Sequence, residues 1–119
     1  MKYRYKTICF DLDNTICRTK KNFYQKSIPI KKNVNFINKL FEEGYYIKIF
    51  TSRYMGRSNE KTSLAKKKGF LQTKSQLKKW GLKHNKLIFG KPSYDLLIDD
   101  KSLFHKKKWV NKLKNILKY

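Results

Sequence analysis

Half of the acidic residues in this chain occur as two close pairs, Asp11 with Asp13 and Asp99 with Asp100. Each pair directly follows a short apolar run of the kind that forms a buried strand. A solvated surface would scatter the 8 carboxylates among the 30 Lys and Arg residues, so this placement indicates a function. Carboxylate oxygens are good ligands for Mg2+, which keeps its other positions for water and substrate phosphate. The two pairs therefore predict a site for a magnesium ion and a phosphate.

Both pairs can reach one site if the strands before them are parallel neighbours, because the carboxyl ends of such strands lie at one edge of a sheet. The pattern predicts four strands, at 6–10, 46–50, 86–90 and 95–98. Helical patterns lie between them and after them. Alternation of this kind predicts an α/β fold, a three-layer α/β/α sandwich around a Rossmann-like parallel sheet.

Glycines mark the expected ends of the helices. A helix is predicted at 32–43, before Gly44. Two shorter helices are predicted at 58–68, before Gly69, and at 73–80, before Gly81.

The C-terminal segment 102–119 has apolar residues at helical spacing with lysines between them. We expect an amphipathic helix that packs on the sheet, because so small a domain needs that apolar face for its core. The alternative is a basic helix that binds nucleic acid or a membrane surface.

The segment Asp11-Leu12-Asp13-Asn14-Thr15 resembles the DxDxT signature of the haloacid dehalogenase superfamily, most of whose members are Mg2+-dependent phosphatases. Thr51, at the end of the second predicted strand, resembles the second motif of that superfamily. Lys91 in Gly90-Lys91-Pro92 resembles the third motif, and Asp99-Asp100 resembles the fourth. Lys74 and Lys101 are the alternatives for the third-motif lysine, and Lys91 is chosen for its position relative to Asp99. The motifs occur in the family's order and span nearly the whole chain. The resemblance implies the superfamily's Rossmann-like core.

The resemblance also implies a role for each motif residue in a phosphatase reaction. Asp11 would be the nucleophile that forms an aspartyl-phosphate, and Asp13 would act as general acid and then general base. Thr51 and Lys91 would bind the oxygens of the transferring phosphoryl group. Mg2+ would be the cofactor, held by the metal ligands Asp11, Asp13 (through its backbone carbonyl) and Asp99, with Asp100 as a further metal ligand or as a residue that contacts the ligands.

Four further residues are predicted to bind substrate or to shape its site: Thr15, Ser52, Arg53 and Arg57. Thr15 is expected to hold the turn after the first motif. Only four of the 30 basic residues are arginines, and Arg53 and Arg57 share one loop beside Thr51. Arginine suits planar, bidentate binding of phosphate. The alternative is that these are solvated loop charges.

The gaps between motifs leave no room for a substantial cap domain. The chain is expected to be one domain, 1–119, with a short flap at 16–30. An open site suits a large or extended phosphate ester, or one that a partner subunit of a homo-oligomer covers. The sequence looks most like small capless members associated with capsular polysaccharide synthesis, which suggests a phosphorylated small molecule, a sugar- or polyol-phosphate. The alternatives are a polynucleotide 3′-phosphatase and a non-catalytic basic module that binds nucleic acid or an acidic partner.

The net charge of +22 predicts attraction to anions such as phosphorylated metabolites or nucleic acid. The alternative is a compositional bias, because Lys, Asn and Ile recur in every segment. No apolar run approaches a membrane span, and the first strand follows the N-terminus without a signal-peptide pattern. Cys9 is expected in the core, and the two cysteines fit no zinc pattern. We expect a soluble, cytoplasmic protein.

Overall fold

The structure, a computed structural model, describes residues 6–91, 103 and 108–118. Five strands are described: β1 (Thr7–Asp11), β2 (Cys17–Arg18), β3 (Ile28–Pro29), β4 (Tyr46–Thr51) and β5 (Lys86–Phe89). Three α-helices accompany them: α1 (Lys31–Glu42), α2 (Thr62–Lys79) and α3 (Trp109–Leu117). Short 3-10 turns lie at Tyr24–Lys26 and Gly56–Ser58.

The main sheet is parallel, with its strands in the order β1, β4, β5. Phe10 lies beside Ile49, and Ile49 lies beside Leu87. The crossovers through α1 and α2 run in the same direction across the sheet, and right-handed crossovers of this kind place both helices on one face. The predicted α/β fold with a parallel, Rossmann-like sheet is confirmed.

The core lies between the helices and one face of this sheet. Phe70 of α2 packs against Phe89 with ring centroids 5.9 Å apart, and Trp109 of α3 packs against Phe10 at 5.7 Å. Helix α3 therefore packs on the sheet as expected.

The opposite face of the sheet is much more open. Cys9 is exposed there, as are Tyr46 and Lys86. The prediction that Cys9 lies in the core was wrong, because in a strand successive side chains alternate between faces and Phe10 takes the covered one.

Helix α1 and strands β1, β4 and β5 lie within a residue or two of their predicted positions, and Gly44 adopts a positive φ of 98° just after α1. The prediction of two short helices was wrong, since α2 is continuous from Thr62 to Lys79. Gly69 does not end a helix. A Cβ atom there would lie 2.3 Å from the Tyr54 ring, so this glycine makes room for a side chain.

The flap connects β1 to α1 as a small antiparallel pair, β2 with β3, that carries the 3-10 turn Tyr24–Lys26 at its far end. The predicted fourth strand at 95–98, and Asp99 and Asp100 with it, lie outside the described residues. Within the described part of the chain, no helix has the length and apolar character needed to cross a bilayer.

Candidate active site

Three predicted site residues meet at the carboxyl edge of the parallel sheet. Asp11 ends β1, Thr51 ends β4, and Lys91 follows β5 by two residues. The Lys91 Nζ atom lies 3.3 Å from Asp11 Oδ1, and the backbone N–H of Lys91 donates to the Thr51 carbonyl oxygen at 3.1 Å. Three residues spread over 80 positions of the sequence therefore form one cluster. Its Asp11 side chain is 39% exposed, so the carboxylate is accessible from solvent.

Gly90 sets the direction in which the chain leaves β5. Its φ is +103°, and a Cβ atom there would lie 2.7 Å from Thr62 Cγ2 at the start of α2. Only glycine tolerates both the backbone angle and the contact. Gly90 thereby allows Lys91 to turn back toward Asp11.

The turn after β1 is held by backbone hydrogen bonds. The Leu12 carbonyl oxygen accepts from the N–H groups of Thr15 and Ile16 at 3.3 and 2.9 Å. Asn14 has a φ of 63°, a left-handed angle that asparagine tolerates. Thr15 is buried, and its carbonyl oxygen accepts from Asn33 Nδ2 at 2.9 Å. The described contacts of Thr15 are thus those of a residue that supports the turn.

Thr51 is 1% exposed and lies within the protein at the end of β4. Its Oγ1 accepts the backbone N–H of Arg53 at 3.1 Å. That bond leaves the hydroxyl's own hydrogen available for donation, since a hydroxyl both donates and accepts. Ser52, the next residue, is half-buried.

Arg53 is the most unexpected residue of the site. Its side chain is fully buried, and Nε donates to Asp13 Oδ1 at 3.2 Å and to Oδ2 at 3.0 Å. The Nη2 group adds a bond of 2.8 Å to Asp13 Oδ1. Arg53 was predicted to bind substrate. In the structure its side-chain N–H groups donate to protein acceptors, and it holds the second aspartate of the first motif.

The rest of the Arg53 guanidinium joins the flap to α2. Nη1 donates to Gln76 Oε1 at 2.7 Å and to Thr73 Oγ1 at 3.3 Å, and Nη2 donates to Ser27 Oγ at 3.3 Å. Gln76 Nε2 in turn donates to the Tyr24 carbonyl oxygen at 2.8 Å. Hydrogen bonds through the buried Arg53 therefore connect the flap to α2.

Thr73 and Gln76 were not predicted as site residues from the sequence. A signal for them exists: they lie three residues apart and share the buried face of α2 with Leu77. Polar residues on a buried helix face need partners, and a buried cation is one of the few groups that can use two of them. Ending the helix at Gly69 concealed this pattern.

Asp13 has two more partners in the flap. The Thr19 hydroxyl donates to Asp13 Oδ1, and Cys17 Sγ lies 3.6 Å from the same oxygen. Burial raises the pKa of the Cys17 thiol to about 11, so Cys17 is a neutral donor near pH 7. The side chain of Asp13 is thus held on several sides and is 21% exposed.

The donor set at this edge suits a hard cation in part. Asp11 offers an accessible carboxylate, whereas the side-chain oxygens of Asp13 are engaged by Arg53, which leaves its backbone carbonyl. These are oxygen ligands of the type that Mg2+ prefers. Over 6–91 and 108–118, no group of three or more His, Cys, Asp or Glu side chains is close enough to hold an ion.

Arg57 lies at the surface of the same loop, four residues after Arg53. Its Nη2 donates to the carbonyl oxygen of Asn22 in the flap at 2.9 Å. Its guanidinium also lies over the rings of Tyr24 and Tyr54. The two loop arginines therefore have different environments, one buried and one exposed.

Comparison with known proteins identifies the fold and no more. No family model matches this chain, and no curated protein matches it. The structure is similar to the crystal structure of a Vibrio cholerae protein that carries no functional name, with a TM-score of 0.76 and 19% sequence identity. The match covers 93% of this chain and 98% of that one. At this level of identity, the likeness shows a shared fold.

Proposed function

We propose that this protein is a Mg2+-dependent phosphomonoesterase that uses Asp11 as its nucleophile. The observation that carries the proposal is the cluster at the sheet edge, with Lys91 Nζ 3.3 Å from Asp11 Oδ1 and Thr51 on the adjacent strand. A carboxylate beside an ammonium group and a buried hydroxyl suits attack on a phosphate, whose charge needs donors and cations fixed in advance.

The reaction would proceed in two displacements at phosphorus. An Asp11 carboxylate oxygen forms a bond to phosphorus while the bond to the leaving oxygen breaks, which gives an aspartyl-phosphate and an alcohol. Water then attacks phosphorus and releases inorganic phosphate and free Asp11. Asp11, the backbone carbonyl oxygen of Asp13 and Asp99 with Asp100 would hold Mg2+, which would supply positive charge to offset the charge of the phosphate.

Lys91 and Thr51 would bind the phosphoryl oxygens. The side chain of Lys91 is 14% exposed and its ammonium group is already near Asp11, so little reorganisation is needed when phosphate enters. Charge-assisted donors of this kind act most strongly where water is excluded.

Asp13 would transfer the protons. In the first displacement it would protonate the leaving oxygen, and in the second it would accept a proton from the attacking water. Both of its oxygens accept hydrogen bonds from Arg53, which fixes the carboxylate in place.

A sugar- or polyol-phosphate is the substrate class we propose, in a reducing, cytoplasmic setting where Cys9 and Cys17 stay free thiols. The flap is the only insertion between Asp11 and α1, so the described residues leave the site open. The second candidate is a polynucleotide 3′-phosphatase, which the net charge of +22 favours. A non-catalytic basic module that binds nucleic acid would keep the fold without needing the Asp11–Lys91 pair.

Hydrolysis of a generic aryl phosphate tests the proposal. We expect phosphate release that requires Mg2+, stops with EDTA and is lost in Asp11→Asn. Glu42→Gln is the matched control, because it removes an exposed acid on α1 and should leave the rate unchanged. Activity that survives Asp11→Asn would exclude the proposed nucleophile.

A further inference from the structure

Arg57 is held in a defined orientation by an aromatic platform, the pair Tyr24 and Tyr54. Its guanidinium carbon lies 5.5 Å from the Tyr24 ring centroid and 5.1 Å from that of Tyr54. The two rings meet edge to face at 5.0 Å, and Arg57 Nη2 donates to the carbonyl oxygen of Asn22. Arg57 stays exposed while these contacts restrain it. Such a guanidinium loses little conformational entropy when it binds a ligand.

The platform depends on an unusual backbone. Tyr54 has a φ of 65°, in the left-handed region that bulky residues rarely adopt, and its ring fills the space left by Gly69 on α2. Asn59 and Glu60 in the same loop also have positive φ angles, of 50° and 60°. Strained residues of this kind concentrate at binding sites, where the surrounding contacts keep them in place.

The platform adjoins the proposed catalytic cluster. The Tyr24 ring contacts both arginines, with the Arg53 guanidinium carbon 5.0 Å from its centroid. Arg53 in turn binds Asp13, which is two residues from Asp11. The exposed guanidinium is therefore separated from the Asp13 ion pair by one aromatic ring.

The chemistry at this position favours an anion. A fixed, planar guanidinium binds phosphate with paired hydrogen bonds, and a second cation lies close by, because Lys68 Nζ donates to the Arg57 carbonyl oxygen at 3.0 Å. We propose that Arg57, supported by Tyr24 and Tyr54, binds a second phosphate group on the part of the substrate that leaves. This inference rests on the proposed function, since the first phosphate is the one that Asp11 attacks.

Two kinds of substrate carry such a group: a sugar or polyol bisphosphate, and an oligonucleotide with a 3′-phosphate, whose next phosphodiester would occupy the platform. The test compares kcat/KM for a polyol bisphosphate, the matching monophosphate, and short oligonucleotides with a 3′-phosphate. We expect the wild-type protein to prefer a substrate with the second phosphate. The class with the higher kcat/KM identifies the source of that phosphate.

Arg57→Ala should reduce the preference for the second phosphate at least tenfold, through KM, which corresponds to about 1.4 kcal/mol or more. Arg57→Lys should recover part of it, because lysine keeps the charge but not the planar, stacked group. Lys78→Ala removes one positive charge in the last turn of α2. It should leave the ratio of kcat/KM between the bisphosphate and the monophosphate unchanged. An unchanged ratio in Arg57→Ala would overturn the inference.

A separate binding measurement keeps this inference distinct from the hydrolysis it rests on. Equilibrium dialysis of the polyol bisphosphate against Asp11→Asn, with and without Arg57→Ala, needs no turnover. Weaker binding in the double variant, by tenfold or more, would support the subsite even if no substrate were hydrolysed by the wild-type chain. Equal binding by the two variants would overturn it.

Discussion

At the scale of single residues, two arginines four positions apart have different roles, because one is buried and the other is exposed. Arg53 has no exposed side-chain surface and binds Asp13, Gln76 and Ser27, whereas Arg57 remains at the surface. The sequence shows that both are arginines near Thr51 but not which one turns inward. That difference depends on Gln76, which α2 brings to the loop from 23 residues away.

Arg53→Ala should destabilise the fold by about 2–4 kcal/mol, because it leaves the Asp13 carboxylate and the buried amide and hydroxyl groups without their partner. The lower part of this range reflects the partial exposure of Asp13. Urea unfolding followed by circular dichroism measures the change.

Arg57→Ala is the matched control for that experiment. Its side chain is exposed, so its removal should cost less than about 1 kcal/mol. Equal destabilisation by the two variants would contradict the buried ion pair as the main contribution of Arg53.

Gly90→Ala tests the path that brings Lys91 to Asp11. The added Cβ would meet Thr62 at 2.7 Å, and φ is +103°, so the chain after β5 must shift. We expect kcat for aryl phosphate hydrolysis to fall more than tenfold.

Gly81→Ala is the control that separates the effect of backbone strain from the effect of displacing Lys91. Gly81 has a φ of +70° but open space around it, and it lies just after α2. This variant should cost about 1 kcal/mol of stability and keep its activity. Comparable activity in the two alanine variants would argue against the positioning role of Gly90.

At the scale of elements, the sequence allowed prediction of what depends on local patterns. Strands β1, β4 and β5 follow from their apolar runs, and helix α1 follows from its spacing and from Gly44. The continuity of α2 could not be predicted, because a glycine commonly ends a helix and the ring that requires a glycine at position 69, that of Tyr54, lies in the loop before α2. The Arg53 network was missed for the same reason, since it is made entirely of contacts between elements.

Gly69→Ala should lower the free energy of unfolding by about 1–3 kcal/mol, because its Cβ would overlap the Tyr54 ring. In a Tyr54→Ala background the overlap is gone. There the same substitution should stabilise α2 by about 1 kcal/mol, the helix preference of alanine over glycine. A thermodynamic cycle by urea unfolding measures both, and the same sign in both backgrounds would contradict the packing of Tyr54 on Gly69.

At the scale of the whole molecule, the net charge of +22 is the feature that bears on the size of the substrate. A small phosphate ester contacts one or two cations, and an oligonucleotide contacts several. Each phosphate contact with a single strand changes the logarithm of affinity by about −0.7 per tenfold salt. The dependence of substrate affinity on salt concentration therefore reports how many of the lysines contact phosphate groups of the substrate.

We expect KM for a polyol phosphate to rise less than about tenfold between 50 and 200 mM salt, because one contact implies about a threefold rise and two imply about a sevenfold rise. Initial rates over a salt series at fixed Mg2+ provide the measurement. A much steeper rise, accompanied by tight binding of oligonucleotides, would favour the polynucleotide 3′-phosphatase over the sugar- or polyol-phosphate substrate.

The most direct test of the account is to look for the covalent intermediate on Asp11. Wild-type protein is mixed with a phosphate ester labelled at phosphorus in the presence of Mg2+, quenched in acid within milliseconds to seconds, and digested for mass spectrometry. We expect a phosphoryl group on the peptide that contains Asp11, stable in acid and lost in base, and absent from Asp11→Asn. Hydrolysis of the ester with no label on the chain at any time, or with label on another residue, would contradict Asp11 as the nucleophile.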